Sequence, residues 1–473
     1  MRTALACRAS AINHLDSAFV AGLVAKPQTQ AAWLLSAMQA SKSVVHELSN
    51  DLWAKILSHM ESAVVEAARR AAIKKTDIDA GPYVCFHKLR LVCKRFRQVF
   101  QEHPHLSAYL FLHDGFPSES LPSLVRWLQL RSSSVQIFIA TRGSPWTEAA
   151  LTGMLAAGNH TSHLTTVFIQ DVTYTSISVL SAFQSLTSCE FSTNSEHAMS
   201  LAPLAALPHL HQLRLSEGWF MDFDQFAHLQ DLSITKALAT NYEDCVFVSS
   251  LQRLSLVNSI LDILHDDGMS ACIALQSFTC HGSNIATRNS HDENAYLRTE
   301  VGTVTCLPPD LSGLTQLIEL SLHIKSVTLG QFDVSWVYAL TRLQTLVLHI
   351  SRGRVHVGLT NNLTALSNLV SLSLCLPHES SIIQTERVHW HAMLSLQCLE
   401  FDAQDLYFSP SLLGLFHLKQ LRSVSFVSGR PTDNKGVEVW RTFMEQYRVG
   451  KPGFRLSLYS LTGDSMARSQ VLL

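Results

Sequence analysis

The sequence predicts an α/β fold: a solenoid horseshoe with parallel strands on its concave face, preceded by a small all-α module. Three observations carry this expectation. A hexamer of the form L-x-x-L-x-L recurs between residues 164 and 430. Two amphipathic helical stretches, at 48–60 and 89–100, precede it. The chain of 473 residues is 47% hydrophobic and only 16% charged, ample apolar material in a polypeptide too long for one hydrophobic core.

The same composition excludes several functions. The formal net charge is -2, so no global basic field exists to hold a polyanion, and a nucleic-acid partner is not expected. No run of 18 apolar residues appears, so no membrane span is expected. The ten cysteines are scattered with no C-x-x-C pair, which disfavours zinc-ribbon and redox motifs and reads as buried thiols in a reducing compartment, cytoplasm or nucleus.

Residues 1–46 are Ala-rich and carry Asp16 against Arg2, Arg8, Lys26 and Lys42. Two readings stay open: an organelle transit peptide (plastid or mitochondrion), or a weakly structured tail with one short helix near Trp33–Met38.

Residues 47–104 read as a helical module. In "LSNDLWAKILSHM" (48–60), Leu52, Ile56, Leu57 and Met60 share one helical face. Ser49 or Asn50 can cap it, and Asp51 suits the positive first turn. In "LRLVCKRFRQVF" (89–100), Leu89, Val92, Phe96, Val99 and Phe100 form an apolar stripe flanked by Cys93, with Arg90, Lys94 and Arg97 on a separate basic stripe. Pro104 stops the helix at His103. Between the two lies an Ala-rich insertion, 61–85, helical to about Lys75 and broken at Gly81-Pro82.

Together these helices resemble the F-box, a three-helix module with an "ILS" helix followed by a "LRLVCKRF" helix. The resemblance implies that Leu48, Leu52, Ile56, Leu57, Leu89, Val92, Cys93 and Phe96 pack the module and dock it onto the Skp-type adaptor of a cullin ubiquitin ligase. Ser49 stands where the family usually has proline, and the 61–85 insertion separates the helices. An amphipathic pair can also serve simply as the N-terminal cap of a repeat array.

Residues 105–163 form a linker and cap repeat, in which "VQIFIA" (135–140) reads as a first strand. The repeats follow over 164–430. Clear copies begin at Leu210, Leu229, Leu251, Leu275, Leu317, Leu343, Leu369, Leu396 and Leu421, with weaker ones at Leu164 and Leu186. The steps are 22, 24, 19, 22, 24, 42, 26, 26, 27 and 25 residues. The long step is either an insertion (281–310) or a decayed copy.

The fourth and sixth positions of each unit are two apart and share one strand face. Burying three apolar side chains yields roughly 1.5–3 kcal/mol each, whereas ordering one whole unit costs about 1–2 kcal/mol per residue in backbone entropy. A single unit cannot fold; stacked neighbours can. A leucine three residues before each unit, as in "YALTR" (338–342), reads as a short helical or irregular turn. The pattern resembles the leucine-rich repeat. That family's Asn or Cys three positions past the last strand leucine is matched only by Asn194, so its side-chain ladder is expected to be lost. Residues 431–473, with a helix at 437–447 and a strand at 454–458, read as a C-terminal cap.

No nucleotide-binding, zinc-protease or nucleophile-elbow motif occurs. No catalytic residue, metal or cofactor is assigned, and the chain is expected not to be an enzyme. The fifth slot of each unit points to solvent and forms a mostly small, uncharged stripe. The seventh slot holds His281, His323, His349, Cys375 and Asp402 in succession. His281, His323, His349 and Asp402 are the candidate target-binding residues, with the polar insertion a second candidate. An F-box on leucine-rich repeats implies the substrate-recognition subunit of a Skp–cullin–F-box ubiquitin ligase, bound to adaptor, cullin scaffold and an unidentified protein target. The alternative is a leucine-rich-repeat interaction scaffold outside any ligase.

Overall fold

The computed structural model describes residues 109–112, 135–140, 147–156, 163–195, 197–240, 249–263, 272–287, 311–324, 335–350, 365–376, 390–403, 417–428 and 455–460. Short pieces at 332–333, 355–356 and 414–415 and single residues at 122, 269, 363 and 445 complete it. The tail, the F-box-like module and, except for Glu445, the expected closing helix lie outside the described residues. The chain divides into two compact units, Met1–Phe191 and Ser192–Leu473.

The first unit holds strands β1 (Tyr109–Leu112), β2 (Ile137–Ala140), β3 (Thr166–Ile169) and β4 (Ser188–Ser192), paired parallel in that order. The strand expected at 135–140 is β2. β1 was not foreseen. Two helices serve as crossovers, α1 (Thr147–Ala156) between β2 and β3 and α2 (Tyr174–Leu180) between β3 and β4. Parallel neighbours need such crossovers. Thr173 caps α2 by accepting from the Ser176 N–H at 3.1 Å, which satisfies one of the orphan donors at a helix start.

The second unit opens with β5 (Met199–Ser200) and a short helix, α3 (Ala202–Ala205). Then come β6 (Gln212–Met221), β7 (Asp231–Thr240), β8 (Arg253–Val257), β9 (Ile260–Ile263), β10 (Ser277–His281) and β11 (Asn284–Thr287). After these lie β12 (Glu319–Ile324), β13 (Phe332–Asp333), β14 (Thr345–Ile350), β15 (Val355–His356), β16 (Ser371–Leu376), β17 (Cys398–Ala403), β18 (Ser423–Ser428) and β19 (Arg455–Ser460). The main ladder runs β6, β7, β8, β10, β12, β14, β16, β17, β18, β19, parallel throughout.

Every one of the sequence repeats becomes a strand that begins on the third residue of its unit, from Thr166 to Ser423. The register pairs like positions: Leu320 faces Leu346, which faces Leu372, which faces Leu399. First and fourth positions are buried in every unit, and sixth positions from Ile169 to Phe401; Leu343, Leu346 and Leu348 have no exposed area at all. A one-residue slip would turn every leucine outward, so burial fixes the register.

The turns between strands explain more of the sequence than expected. Leu317 N–H donates to Leu314 O, and Leu314 N–H to Leu311 O, at 3.0 and 2.9 Å. The same pair of i→i+3 bonds recurs at 363–369, 390–396 and 415–421. This is 3₁₀ geometry, whose three-residue period stacks side chains at i, i+3 and i+6. Leu311, Leu314 and Leu317 therefore all face the core. At each strand entry one carbonyl accepts twice: Ile318 O takes the N–H groups of Gln344 and Thr345 at 2.8 and 3.0 Å.

Across the long step β10 pairs directly with β12, Ser277 opposite Glu319, so the main ladder continues from one to the other. His281 ends β10, and residues 284–287 of the insertion form β11, which pairs with β9. β11 belongs to a second ladder alongside the main one. It also contains β5, the outer half of β6 and β7, and β9. The chain enters it through a left-handed residue at the eighth position of its unit: Glu217, Lys236, Asn258 and Gly282, with φ of 55°, 51°, 49° and 58°. From β12 onward no described residue takes this conformation, and the main strands run straight for six residues.

The side-chain ladder expected to be lost survives in a different residue type. Ser259, 2% exposed, places Oγ 3.0 and 2.9 Å from the Ile234 and Val257 carbonyls and accepts from the Ala237 N–H at 3.4 Å. Its own N–H donates to Ser283 Oγ at 3.0 Å, and Ser283 Oγ donates to His281 O at 3.2 Å. Two serines thus tie successive bends together where asparagine is customary.

Candidate functional site

One face of the main ladder is packed with leucines. The other, carrying the third, fifth and seventh residues of each unit, is the candidate site. Its fifth-position floor begins at Arg214, is small from Ser233 through Ser255, Thr279, Ser321 and Val347 to Ser373, and ends at Glu400 and Ser425. Small side chains keep this floor shallow. Two fifth-position residues are more enclosed than expected: Phe168 in the first unit and Ser373, each 6% exposed.

Along the third position the charges are already partnered. Arg253 pairs with Asp231 at 3.2 Å, and Ser277 Oγ donates to a Glu319 carboxylate oxygen at 3.1 Å. On the floor, Ser373 Oγ donates to Glu400 Oε2 at 2.9 Å.

Along the seventh position the register brings His281 opposite His323, His323 opposite His349, His349 opposite Cys375 and Cys375 opposite Asp402. The three imidazoles stack. Ring centroids are 3.8 Å apart between His281 and His323 and 4.3 Å between His323 and His349, with interplanar angles of 42° and 47°. Adjacent strands are roughly 4.8 Å apart, so like positions on neighbouring strands must touch when they carry rings.

The outer two rings are tied to the floor. His281 Nε2 lies 2.9 Å from Ser321 Oγ, and His349 Nε2 lies 2.7 Å from Ser373 Oγ. Ser373 has one hydroxyl proton and gives it to Glu400, so His349 must donate its own Nε2–H to Ser373. The network thereby assigns the His349 tautomer. His323 makes no hydrogen bond to the described residues; its contacts are the two rings beside it.

Burial and the neighbouring rings both disfavour positive charge here. The His323 pKa is lowered from 6.5 to about 4, first by desolvation and then by His281 and His349. His281 is lowered as well, by desolvation and then by His349. His281 and His323 are thereby held toward their uncharged forms. The row's rings lie tilted against one another, and among the described residues no group of three or more His, Cys, Asp and Glu is arranged to hold a metal ion.

The described cysteines are free thiols. Cys272 and Cys280 are buried, and desolvation pushes each thiol up to about 12; buried Cys189 is raised further. Cys398 departs from the expected buried pattern, because it occupies a third position on the open face and is exposed.

The eight positions assigned to adaptor docking, Leu48, Leu52, Ile56, Leu57, Leu89, Val92, Cys93 and Phe96, lie outside the described residues. Of the target-binding set, His281, His323 and His349 are brought together, and Asp402 joins the same row by register. The serine partners Ser321 and Ser373 were visible in sequence only as members of the small stripe.

No family model and no curated protein matches the chain. Among solved structures, it is similar to an internalin from Listeria monocytogenes, at 17% identity and a TM-score of 0.41, over 62% of this chain and 74% of that one. It is also similar to the leucine-rich-repeat ectodomain of the membrane receptor kinase GASSHO1/SCHENGEN3 from Arabidopsis thaliana. That match has 13% identity and a TM-score of 0.30, over 70% of this chain and 49% of that one, so the chain spans about half of that ectodomain. The in-register leucine ladder decides the architecture. The fold is a leucine-rich-repeat solenoid. Among the described residues no helix is long and apolar enough to cross a membrane.

Proposed function

We propose that this protein recruits a protein target to a ubiquitin ligase, holding the target on the open sheet face and docking through its F-box-like module onto a Skp-type adaptor and its cullin scaffold. The observation that supports target holding is the open face itself. A broad, shallow sheet surface carries small floor residues and charges already satisfied within the face, over a core that fixes its shape. Such a surface suits recognition of an extended partner.

The ligase half of the reading is supported by sequence alone: the "ILS" and "LRLVCKRF" stretches, in family order, ahead of leucine-rich repeats. The chain contributes proximity between target and transferase and no bond-making group. It acts without a cofactor.

The test is capture of the full chain by a purified Skp-type adaptor. Wild type is expected to bind, and Leu89→Asp and Val92→Asp are expected to abolish capture while leaving the circular dichroism of the repeats unchanged. Capture that survives both substitutions, or is absent in wild type, leaves the second reading: a leucine-rich-repeat interaction scaffold outside any ligase, its helical module a cap. The open sheet face supports that reading equally.

A further inference from the structure

The carboxylates Asp231, Glu319 and Glu400 on the open face each have a partner within the face. The imidazole of His323 does not. It sits half-buried between two rings whose own Nε2 atoms are committed to Ser321 and Ser373. The groups packed against it are His281 on β10 and His349 on β14; Glu319, four residues earlier on its own strand β12, is bound by Ser277. Beyond those rings lie Val257 and Arg253 of β8, the latter paired to Asp231 of β7, Cys375 of β16, and Glu400 and Asp402 of β17. Glu400 is linked to the row through Ser373. Among the described residues no carboxylate contacts the His323 ring.

We infer that the row His281–His323–His349 is a proton-linked seat for an acidic segment of the bound protein, with an Asp or Glu side chain of that segment resting against His323. This deepens the target-holding half of the proposed function and rests on it, but not on the adaptor-docking half. A cationic His323, its ring centroid 3.8 and 4.3 Å from those of His281 and His349 and partly desolvated, needs a counter-charge. An arriving carboxylate supplies it. His323 then takes a proton from solvent and donates a charge-assisted hydrogen bond to the carboxylate, while His281 and His349 stay neutral and hydrogen-bonded to their serines. Docking and proton uptake become one equilibrium, tighter in mild acid and weaker at alkaline pH.

The test uses the full chain and a fluorescein-labelled hexa-aspartate peptide, with an uncharged Ser/Asn peptide of equal length as control. Anisotropy is read at pH 7.5 and pH 5, and calorimetry in two buffers of different ionisation enthalpy counts protons. The expected result is binding about tenfold tighter at pH 5, uptake of about one proton there, and no binding of the control. A carboxylate moves a neighbouring titration by roughly 1–3 pH units. In His323→Asn, and separately in His281→Asn, the pH dependence is expected to collapse while circular dichroism is unchanged. Carbon-13 chemical shifts of the ring give the His323 titration directly, which should move upward when peptide is added. Equal affinity at both pH values, absent proton uptake, persistence of the pH dependence in His323→Asn, or failure of the peptide to bind would each overturn the inference. Adaptor capture is read in a separate assay, so loss of one reading is not mistaken for loss of the other.

Discussion

Substituting Gly218 by alanine tests the account of the bend that carries the chain into the second ladder. Gly218 has φ of +110°, and a Cβ built there would lie 2.2 Å from Thr193 Cγ2 and 2.7 Å from Thr193 O. The methyl could rotate away; the carbonyl oxygen cannot, because Thr193 N–H is bonded to Glu217 O at 3.0 Å and holds that backbone in place. A non-glycine residue at such a φ costs about 1–3 kcal/mol, and forcing a methyl against fixed backbone adds about 1–3 kcal/mol. The expected destabilisation is about 2–6 kcal/mol. The internal control is Gly313→Ala. It has no atom within 4 Å of the new Cβ and no left-handed φ, so it should be neutral or stabilising by about 0.4–1 kcal/mol through the unfolded chain. Urea unfolding followed by circular dichroism, with the slope checked for constancy, compares the two. A Gly218→Ala midpoint within error of the Gly313→Ala midpoint would refute the reasoning.

The remaining predictions concern the core, the bend, the row and the thiols. Leu346→Ala removes a fully buried fourth-position side chain and should cost about 2–5 kcal/mol in urea unfolding; Thr345→Ala, on the open face, should cost far less. Ser259→Ala strands the Ala237 N–H and should destabilise by about 1–3 kcal/mol, with faster amide exchange at Ala237. His323 is lowered to about 4 in the fold against 6.5 unfolded, so its neutral form is the one the fold favours. Its contribution is complete above pH 6.5 and is lost as pH falls toward 4. Because the ring is half-exposed, solvent screening trims this to about 1–2 kcal/mol, and His323→Asn should flatten the melting-temperature profile in that window. Iodoacetamide at pH 8 should label exposed Cys398 well before Cys189, Cys272 and Cys280, as mapped by peptide mass spectrometry.

Sequence reasoning reached the strands because their periodicity is dictated by burial. Leu343, Leu346 and Leu348 recur at fixed spacing since each must enter the same core, and the strand starts at the third residue for that reason. β1 escaped because Ser107 stands where its unit would show a leucine. The second ladder escaped because three of its four left-handed eighth residues are Glu, Lys or Asn, and only Gly282 is glycine. A turn built by stacking onto a neighbour needs no turn residue of its own. The serine ladder was hidden for a similar reason: a hydroxyl can replace an amide only when the next bend supplies the matching partner, which no single repeat reveals. The histidine row was legible as a spacing. Its stacking, its serine anchors and its suppressed charge depended on side-chain rotations that sequence does not encode.

The direct pairing of Ser277 with Glu319 has a consequence for how this molecule can change over generations. The sheet is already zipped shut between β10 and β12, so the sequence from Arg288 to Asp310 can be lengthened, pruned or exchanged for a foreign domain without re-threading that pair. A gene carrying such a port can try new decorations one at a time, keeping the wall intact while its ornament is rewritten.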